Sequence, residues 1–244
     1  YARSFGAVIE QIEKHPNRSY FVLKSIMVNN LYGVDIMAEA TEICKLRLFL
    51  KLAAQVDKND KQPNLGIEPL PDIDFNIRAG NTLIGFATYK EVERAVTHDR
   101  QQLRMLFAED EQRMAEIQSK AEDIARLTRV FRDQQTIHGG EVTVKDKLAL
   151  KSKLKELDRM LNRYLAEECG VDLDDNEAYE AWLKSHHPFH WFTEFYGILN
   201  IEAGFSVIVG NPPYARIPET LNRTLLRNTY STALDKWSRD ENLY

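Results

Sequence analysis

Asn211-Pro212-Pro213-Tyr214 is the stretch of this 244-residue sequence whose residue types and spacing could do chemistry. A residue before proline is held extended, so Asn211 does not start a helix. Two successive prolines fix φ twice and remove two backbone N–H donors. What remains is a stiff turn that presents acceptors: the Asn211 side-chain carbonyl and a neighbouring backbone carbonyl. Tyr214 adds a flat aromatic face. Two acceptors suit the two N–H bonds of an amino group on a planar ring. Taking both draws the nitrogen lone pair out of conjugation and aims it at an electrophile. The aromatic face stacks on the ring. No general base has to act first, because the nitrogen loses its proton after the attack. A base inside a duplex would have to be flipped out to reach such a turn.

The turn follows Phe205-Ser206-Val207-Ile208-Val209-Gly210, a continuous β-branched run. That pattern predicts a strand buried on both faces of a parallel sheet, with the turn beyond its carboxyl end, where open α/β sheets bind ligands. Upstream, residues 3–28 read as helix broken at His15-Pro16-Asn17. A short apolar run over residues 30–36 ends on Asp35 and Ile36, and a helix follows with Ala40, Ile43, Cys44, Leu46, Leu48, Leu50 and Leu52 as its apolar positions. A polar loop over 57–71 leads to a second short strand over 75–79, closed by Gly80-Asn81. Strand, helix, loop, strand predicts an α/β sheet. From about 89 the grammar changes. Phe107, Met114, Ile117, Ala121, Ile124 and Phe131 form one stripe, interrupted by Asp110 and Thr128. Leu150, Leu154, Leu157, Leu161 and Tyr164 form another, and Thr136-Ile137-His138-Gly139-Gly140 lies between. The spacing predicts a long antiparallel helical hairpin with coiled-coil packing. It reads most simply as a packing arm, since its mixed charges give little reason for it to hold DNA. A short helix around 178–184 then precedes an aromatic cluster, residues 189–196.

Composition sets bounds. Net charge is −5, with 32 basic and 37 acidic residues, which excludes a globally basic nucleic-acid binder but not a local basic patch. No apolar run approaches the ~18 residues of a membrane span, and no secretory signal opens the chain. Cys44 and Cys169 give neither a disulfide framework nor metal-ligand spacing, so a reducing, cytoplasmic location is expected. His186, His187 and His190 crowd together, but Pro188 breaks any helical i, i+4 geometry, and no metal is expected. Arg216, Arg223, Arg227, Lys236 and Arg239, opposed by Glu219 and Asp235, form a basic stretch after the turn that suits phosphates or a solvated helix face equally. No Ser/His/Asp nucleophile, phosphate loop or paired nuclease carboxylates are recognisable. The opening Tyr1 and closing Leu243-Tyr244 lead us to expect an internal piece of a longer protein.

Asn211-Pro212-Pro213-Tyr214 resembles the catalytic motif of S-adenosylmethionine-dependent amino-methyltransferases, above all DNA adenine-N6 methyltransferases. Longer phrases are similar to one branch, the type II G restriction–modification enzymes and the related BREX-type phage-exclusion methyltransferases. These phrases are Leu31-Tyr32-Gly33-Val34-Asp35-Ile36 with the following Ala40-Thr41-Glu42-Ile43-Cys44-Lys45-Leu46-Arg47-Leu48, residues 71–85, and Pro188-Phe189-His190-Trp191. The resemblance covers roughly residues 20–88 and 186–244.

The resemblance implies a partial Rossmann-like class I methyltransferase sheet, of α/β class, with the helical hairpin inserted in it. It implies three segments: 1–88 as the cofactor-binding half, 89–187 as the hairpin insertion, and 188–244 as catalytic strand, turn and following loop. It implies S-adenosylmethionine as cofactor and a flipped adenine in double-stranded DNA as substrate, in a restriction–modification or phage-defence enzyme. Asp35 would accept bonds from the cofactor's ribose, Ile36 would pack on its adenine, and Asn81 would bond the adenine edge where many relatives carry Asp. Asn211 and the Pro212 carbonyl would hold the amine, Pro213 would stiffen the turn, and Tyr214 would stack. Ser206 stands where most relatives have Asp. The expected glycine loop for the methionine end of the cofactor, the target-recognition domain and any nuclease lie outside this sequence, so the isolated piece is expected to be inactive. Two other readings stay open: methyl transfer to a glutamine amide in protein by the same four residues, and a non-catalytic module whose helical arm is the working part.

Overall fold

Proline at position 16 has no N–H and cannot continue a helix, and the chain breaks there as the sequence predicts. In the computed structural model, which describes residues 2–61, 67–97, 107–136, 143–202 and 204–211, α1 (Ala2–Lys14) ends before it and α2 (Arg18–Asn29) begins after it. Packing divides the chain into two units. Unit 1 is Tyr1–Gly80 with Leu127–Lys151, and unit 2 is Asn81–Arg126 with Ser152–Tyr244.

Unit 1 is built on a strand–helix–strand turn. β1 (Gly33–Asp35) and β2 (Ile77–Ala79) pair in parallel, with Gly33 opposite Ile77 and Asp35 opposite Ala79, and α3 (Ala38–Ala53) makes the crossover. Both strands are shorter than the apolar runs that announced them. The core holds Tyr20, Met27, Val28, Leu52, Ile73 and Ile77, with Leu23, Leu48, Phe49 and Val56 packed around it. Each such side chain contributes roughly 1.5–3 kcal/mol of burial. α3 gives this core Leu48, Phe49 and Leu52. Ile43, Leu46 and Leu50, expected in the same stripe, are 58, 57 and 63% exposed. The helix therefore carries two apolar faces, and only one has a partner among the described residues. Buried Asn76 ties the elements together. Its Nδ2 donates to the carbonyls of Met27, Val28 and Leu31 at 3.3, 2.9 and 3.1 Å, satisfying the carbonyl end of α2. Its own carbonyl accepts from Gly33 N at 2.9 Å and so sets the start of β1.

α5 (Phe107–Thr136) and α6 (Val144–Glu168) are the two expected long helices, and each contributes to both units. In unit 1, Gln135 of α5 accepts from Asp72 N at 2.6 Å, and Lys147 of α6 reaches Asp72 and Asp74 at 2.6 and 2.5 Å. In unit 2 the helices run antiparallel, as the pairs Lys120–Glu156 and Asp123–Lys153 show. Met114, Ile117, Ala121 and Ile124 are buried on one, and Leu154, Leu157, Leu161 and Leu165 on the other. The buried positions recur at the spacing of three and four that the sequence predicts. The second stripe ends on Leu165 rather than the expected Tyr164, which is half-buried. An undistorted helix drifts from a strict heptad, so the buried position moves one residue on.

The rest of unit 2 is short and capped. In α4 (Tyr89–Thr97), Glu91 Oε2 accepts from Ala87 N and Thr88 N while Thr88 Oγ1 accepts from Glu91 N, a capping box. α7 (Asn176–His186) starts on Asp175, whose carboxylate accepts from Glu177 N and Ala178 N, and ends on His187 at φ 47°. α8 (Trp191–Glu194) leads into a π-helical turn, Gly197–Ile201. Gly204, at φ 94°, then donates to the Ile198 carbonyl at 2.8 Å and turns the chain away.

The buried strand expected over 205–209 does not form. Val207, Ile208 and Val209 are 77, 80 and 90% exposed, and no described segment pairs with them. A helix closes its hydrogen bonds within itself, whereas a strand takes them from a neighbour. β-Branched composition alone therefore leaves this run without a pairing partner among the described residues. Among the described residues no helix is long and apolar enough to cross a membrane.

Candidate functional site

In unit 1, Asp35 is the last residue of β1. Its carbonyl accepts from Gly80 N at 2.9 Å, which holds the ends of the two strands together. Its Oδ1 accepts from Met37 N at 2.8 Å, a turn that fixes the carboxylate just before α3. The other carboxylate oxygen has no protein partner among the described residues. Ile36 and Met37 follow at 53 and 58% exposure. An acid with a spare oxygen, flanked by bare apolar side chains at the carboxyl end of a parallel strand, can hold a diol beside a flat apolar ring.

In unit 2, Asn81 is 8% exposed and heads a loop clamped to the segment after α7. Asn81 pairs with Pro188 in a parallel bridge, and its N–H donates to the His187 carbonyl at 2.7 Å. Phe189 N donates to the Ile84 carbonyl at 2.7 Å, and Phe192 N to that of Phe86 at 3.0 Å. Trp191 Nε1–H donates to the Thr82 carbonyl at 3.2 Å. Gly85 sits at φ 150°, and a Cβ there would lie 2.1 Å from the Phe189 carbonyl oxygen, so no other residue fits. Asn81 Oδ1 accepts from Leu83 N at 3.1 Å, which leaves its NH₂ without a protein partner among the described residues.

The three histidines take separate structural places. His187 is the left-handed cap of α7, and His186 stacks on Trp182 with ring centroids 5.2 Å apart. His190 is fully buried. Its Nδ1 accepts from Phe86 N at 3.0 Å, so Nε2 carries the proton and donates to Asn162 Oδ1 at 2.9 Å. Burial pushes its pKa down to about 3, and the ring stays neutral. No group of three His, Cys, Asp or Glu side chains among the described residues is placed to hold a metal.

Asn211 ends the described chain, exposed, at the tip of the bare run from Ser206. Pro212, Pro213 and Tyr214 lie outside the described residues, as do Arg216, Glu219, Arg223, Arg227, Asp235, Lys236 and Arg239. So do Ile137, His138, Gly139 and Gly140 of the expected hairpin turn. Asp35 and Ile36 are thus brought side by side in unit 1, while Asn81 and Asn211 belong to unit 2. The sequence reading passed over Asn76, Gly85 and Trp191 as individuals. A signal existed for each: a polar residue inside an apolar run, a glycine between apolar residues, and a tryptophan among phenylalanines.

The chain is similar over 94% of its length to a candidate type II restriction enzyme and methyltransferase of Methanocaldococcus jannaschii, at 23% identity over 268 aligned residues. It spans 22% of that relative's length. No solved structure matches. The family model described as Eco57I restriction-modification methylase matches residues 29–244, which include Asp35, Ile36, Asn81 and the whole Asn211-Pro212-Pro213-Tyr214 turn. That span is most of the chain, and the protein belongs to the Eco57I restriction-modification methylase family.

Proposed function

We propose that this chain is part of a DNA methyltransferase that moves a methyl group from S-adenosylmethionine to N6 of a flipped adenine, within a restriction–modification or phage-defence enzyme. The observation that carries this reading is the Asn211-Pro212-Pro213-Tyr214 turn inside the family match. Segments 1–88, 89–187 and 188–244 then serve as cofactor half, hairpin insertion and catalytic segment. The parallel strand–helix–strand turn of β1, α3 and β2 supports a Rossmann-like α/β sheet.

The donor and acceptor chemistry of the residues present fits the cofactor. Asp35 offers an acceptor for ribose hydroxyls, Ile36 an apolar face for the purine, and Asn81 an NH₂ for a ring nitrogen. Bound S-adenosylmethionine supplies an electrophilic methyl on a sulfonium. The chain's own residues do the rest. Asn211 Oδ1 and the Pro212 carbonyl accept the two N–H bonds of the substrate amine and turn its lone pair outward. Pro213 keeps that corner stiff, and Tyr214 stacks on the extruded base. The nitrogen would form its bond to the methyl carbon as the carbon–sulfur bond breaks and a neutral thioether leaves, and would then shed its proton to solvent, so no perturbed general base is called for.

The test is transfer of labelled methyl to adenine-containing duplex by the full-length protein, with N6-methyladenine as the product. Asn211→Ala is expected to lower kcat at least about a hundredfold, in line with losing one preorganised charge-stabilising contact. Asp35→Ala is expected to weaken cofactor binding about tenfold to a hundredfold, the range for a hydrogen bond to a charged group. Normal methylation by the Asn211 variant, or transfer to a glutamine-containing peptide instead of DNA, overturns the reading.

A further inference from the structure

One side chain touches two parts of unit 2 that the proposed reaction needs. Trp191 opens α8, and its indole N–H holds the carbonyl of Thr82, the residue after Asn81. The ring of the same residue meets Phe205 edge to face, with centroids 6.2 Å apart and planes at 78°. Phe195 completes the seat, 5.6 Å from Phe205 at 85° and 5.6 Å from Trp191. Phe205 is the last partly buried residue before the bare stretch 206–211 that ends on Asn211. The chain reaches this seat as the π-helical turn ends, Gly204 takes a positive φ, and the next side chain packs against both rings.

An edge-to-face contact is directional, because the ring's positive edge seeks its neighbour's negative face. It fixes where the stretch starts more narrowly than an aliphatic contact would. Only an indole joins both tasks here. A phenyl ring keeps the face and loses the donor, and an aliphatic side chain loses both. We propose that Trp191 is a positioning residue for methyl transfer: its N–H sets the loop that carries Asn81, and its ring sets the origin of the segment that carries Asn211. The assignment rests on the methyltransferase reading above. It explains why Pro188-Phe189-His190-Trp191 stands between the two parts in sequence while bonding one and seating the other.

The experiment uses the full-length protein, S-adenosylmethionine and adenine-containing duplex. Kinetic constants are normalised to the folded fraction, measured by circular dichroism and thermal melting. Trp191→Phe removes the N–H and part of the ring while keeping an aromatic face. It is expected to raise KM for the cofactor about threefold to tenfold, the worth of one hydrogen bond, with kcat nearly unchanged. Phe205→Leu removes the edge contact and keeps the bulk. It is expected to lower kcat about tenfold or more with that KM unchanged, because small misplacements of reacting groups cost rate steeply. Trp191→Leu is expected to show both effects, and Trp191→Phe to keep kcat where Trp191→Leu loses it. If the variants melt earlier but the folded fraction keeps the unsubstituted kcat and KM, the role is merely structural and the assignment falls. If the unsubstituted protein transfers no methyl at all, the methyltransferase reading falls and takes the assignment with it.

Discussion

Asn81 and Asn211 are both asparagines at proposed contact points, and the chain treats them in opposite ways. Asn81 is buried in a loop bonded at residues 81, 82, 84 and 86 to the segment 187–192. Asn211 stands at the end of six residues that are all exposed and are rooted at Phe205. The difference lies in where each finds its hydrogen bonds. The Asn81 loop meets a complementary stretch within its own unit, so turn geometry, a glycine and backbone donors close on one another. The run before Asn211 has strand composition, and a strand is completed only by a neighbour's backbone.

The sharpest way to break this contrast is at the glycines. Gly85→Ala places a Cβ against the Phe189 carbonyl and forces an L-residue to φ 150°. A loss of about 3 kcal/mol is expected, the upper range for backbone strain at one position, measured by urea unfolding of unit 2. The counterpart, Gly210→Ala, meets nothing within 4 Å and should stay within about 0.5 kcal/mol in the same assay. Equal effects at both sites would erase the distinction.

A smaller effect comes from His190, which braces the clamped loop through Phe86 N. Its folded pKa of about 3 lies below the ordinary histidine range near 6.5. Between those values the unfolded chain binds a proton that the folded chain refuses, so stability falls as pH drops. The slope is at most about 1.4 kcal/mol per pH unit. His190→Gln should flatten the change in urea midpoint between pH 7 and pH 5. A slope unchanged by the substitution would show that another group carries it.

The mildest test lies in unit 1, where polar tethers do what backbone bonds do around Asn81. Burial opposes ionisation of Asp74, yet Lys147 and Lys45 outweigh it and hold the carboxyl at about 2. The contribution is therefore present above the ordinary carboxylate range and is lost as pH falls through about 2. Asp74 and Lys147 are 37 and 30% exposed, so solvent screens the pair. Lys147→Met should cost about 1 kcal/mol or less and make the melting temperature less sensitive to salt.

Much of this was legible in the sequence because helices announce themselves locally. The break at Pro16, the strand–helix–strand turn and the buried stripes of α5 and α6 all follow from residue types within one or two turns. The places of Asp35 and Asn81 just at or after strand ends were legible, while the contacts proposed for them come from the family resemblance. What stayed hidden depends on distant partners. Nothing near Gly85 foretells the Phe189 carbonyl, more than a hundred residues away. Ile43, Leu46 and Leu50 read as core because periodicity marks an apolar face without saying what covers it. Residues 205–209 read as strand because composition marks the same preference without supplying a neighbour.

That last run has a practical consequence at the bench. Val207, Ile208 and Val209 carry no charge and no proline, and among the described residues nothing pairs with their amides and carbonyls. Preparations that leave them bare should stick to one another through added strands as concentration rises, and a lysine placed at Ile208 should keep them dispersed.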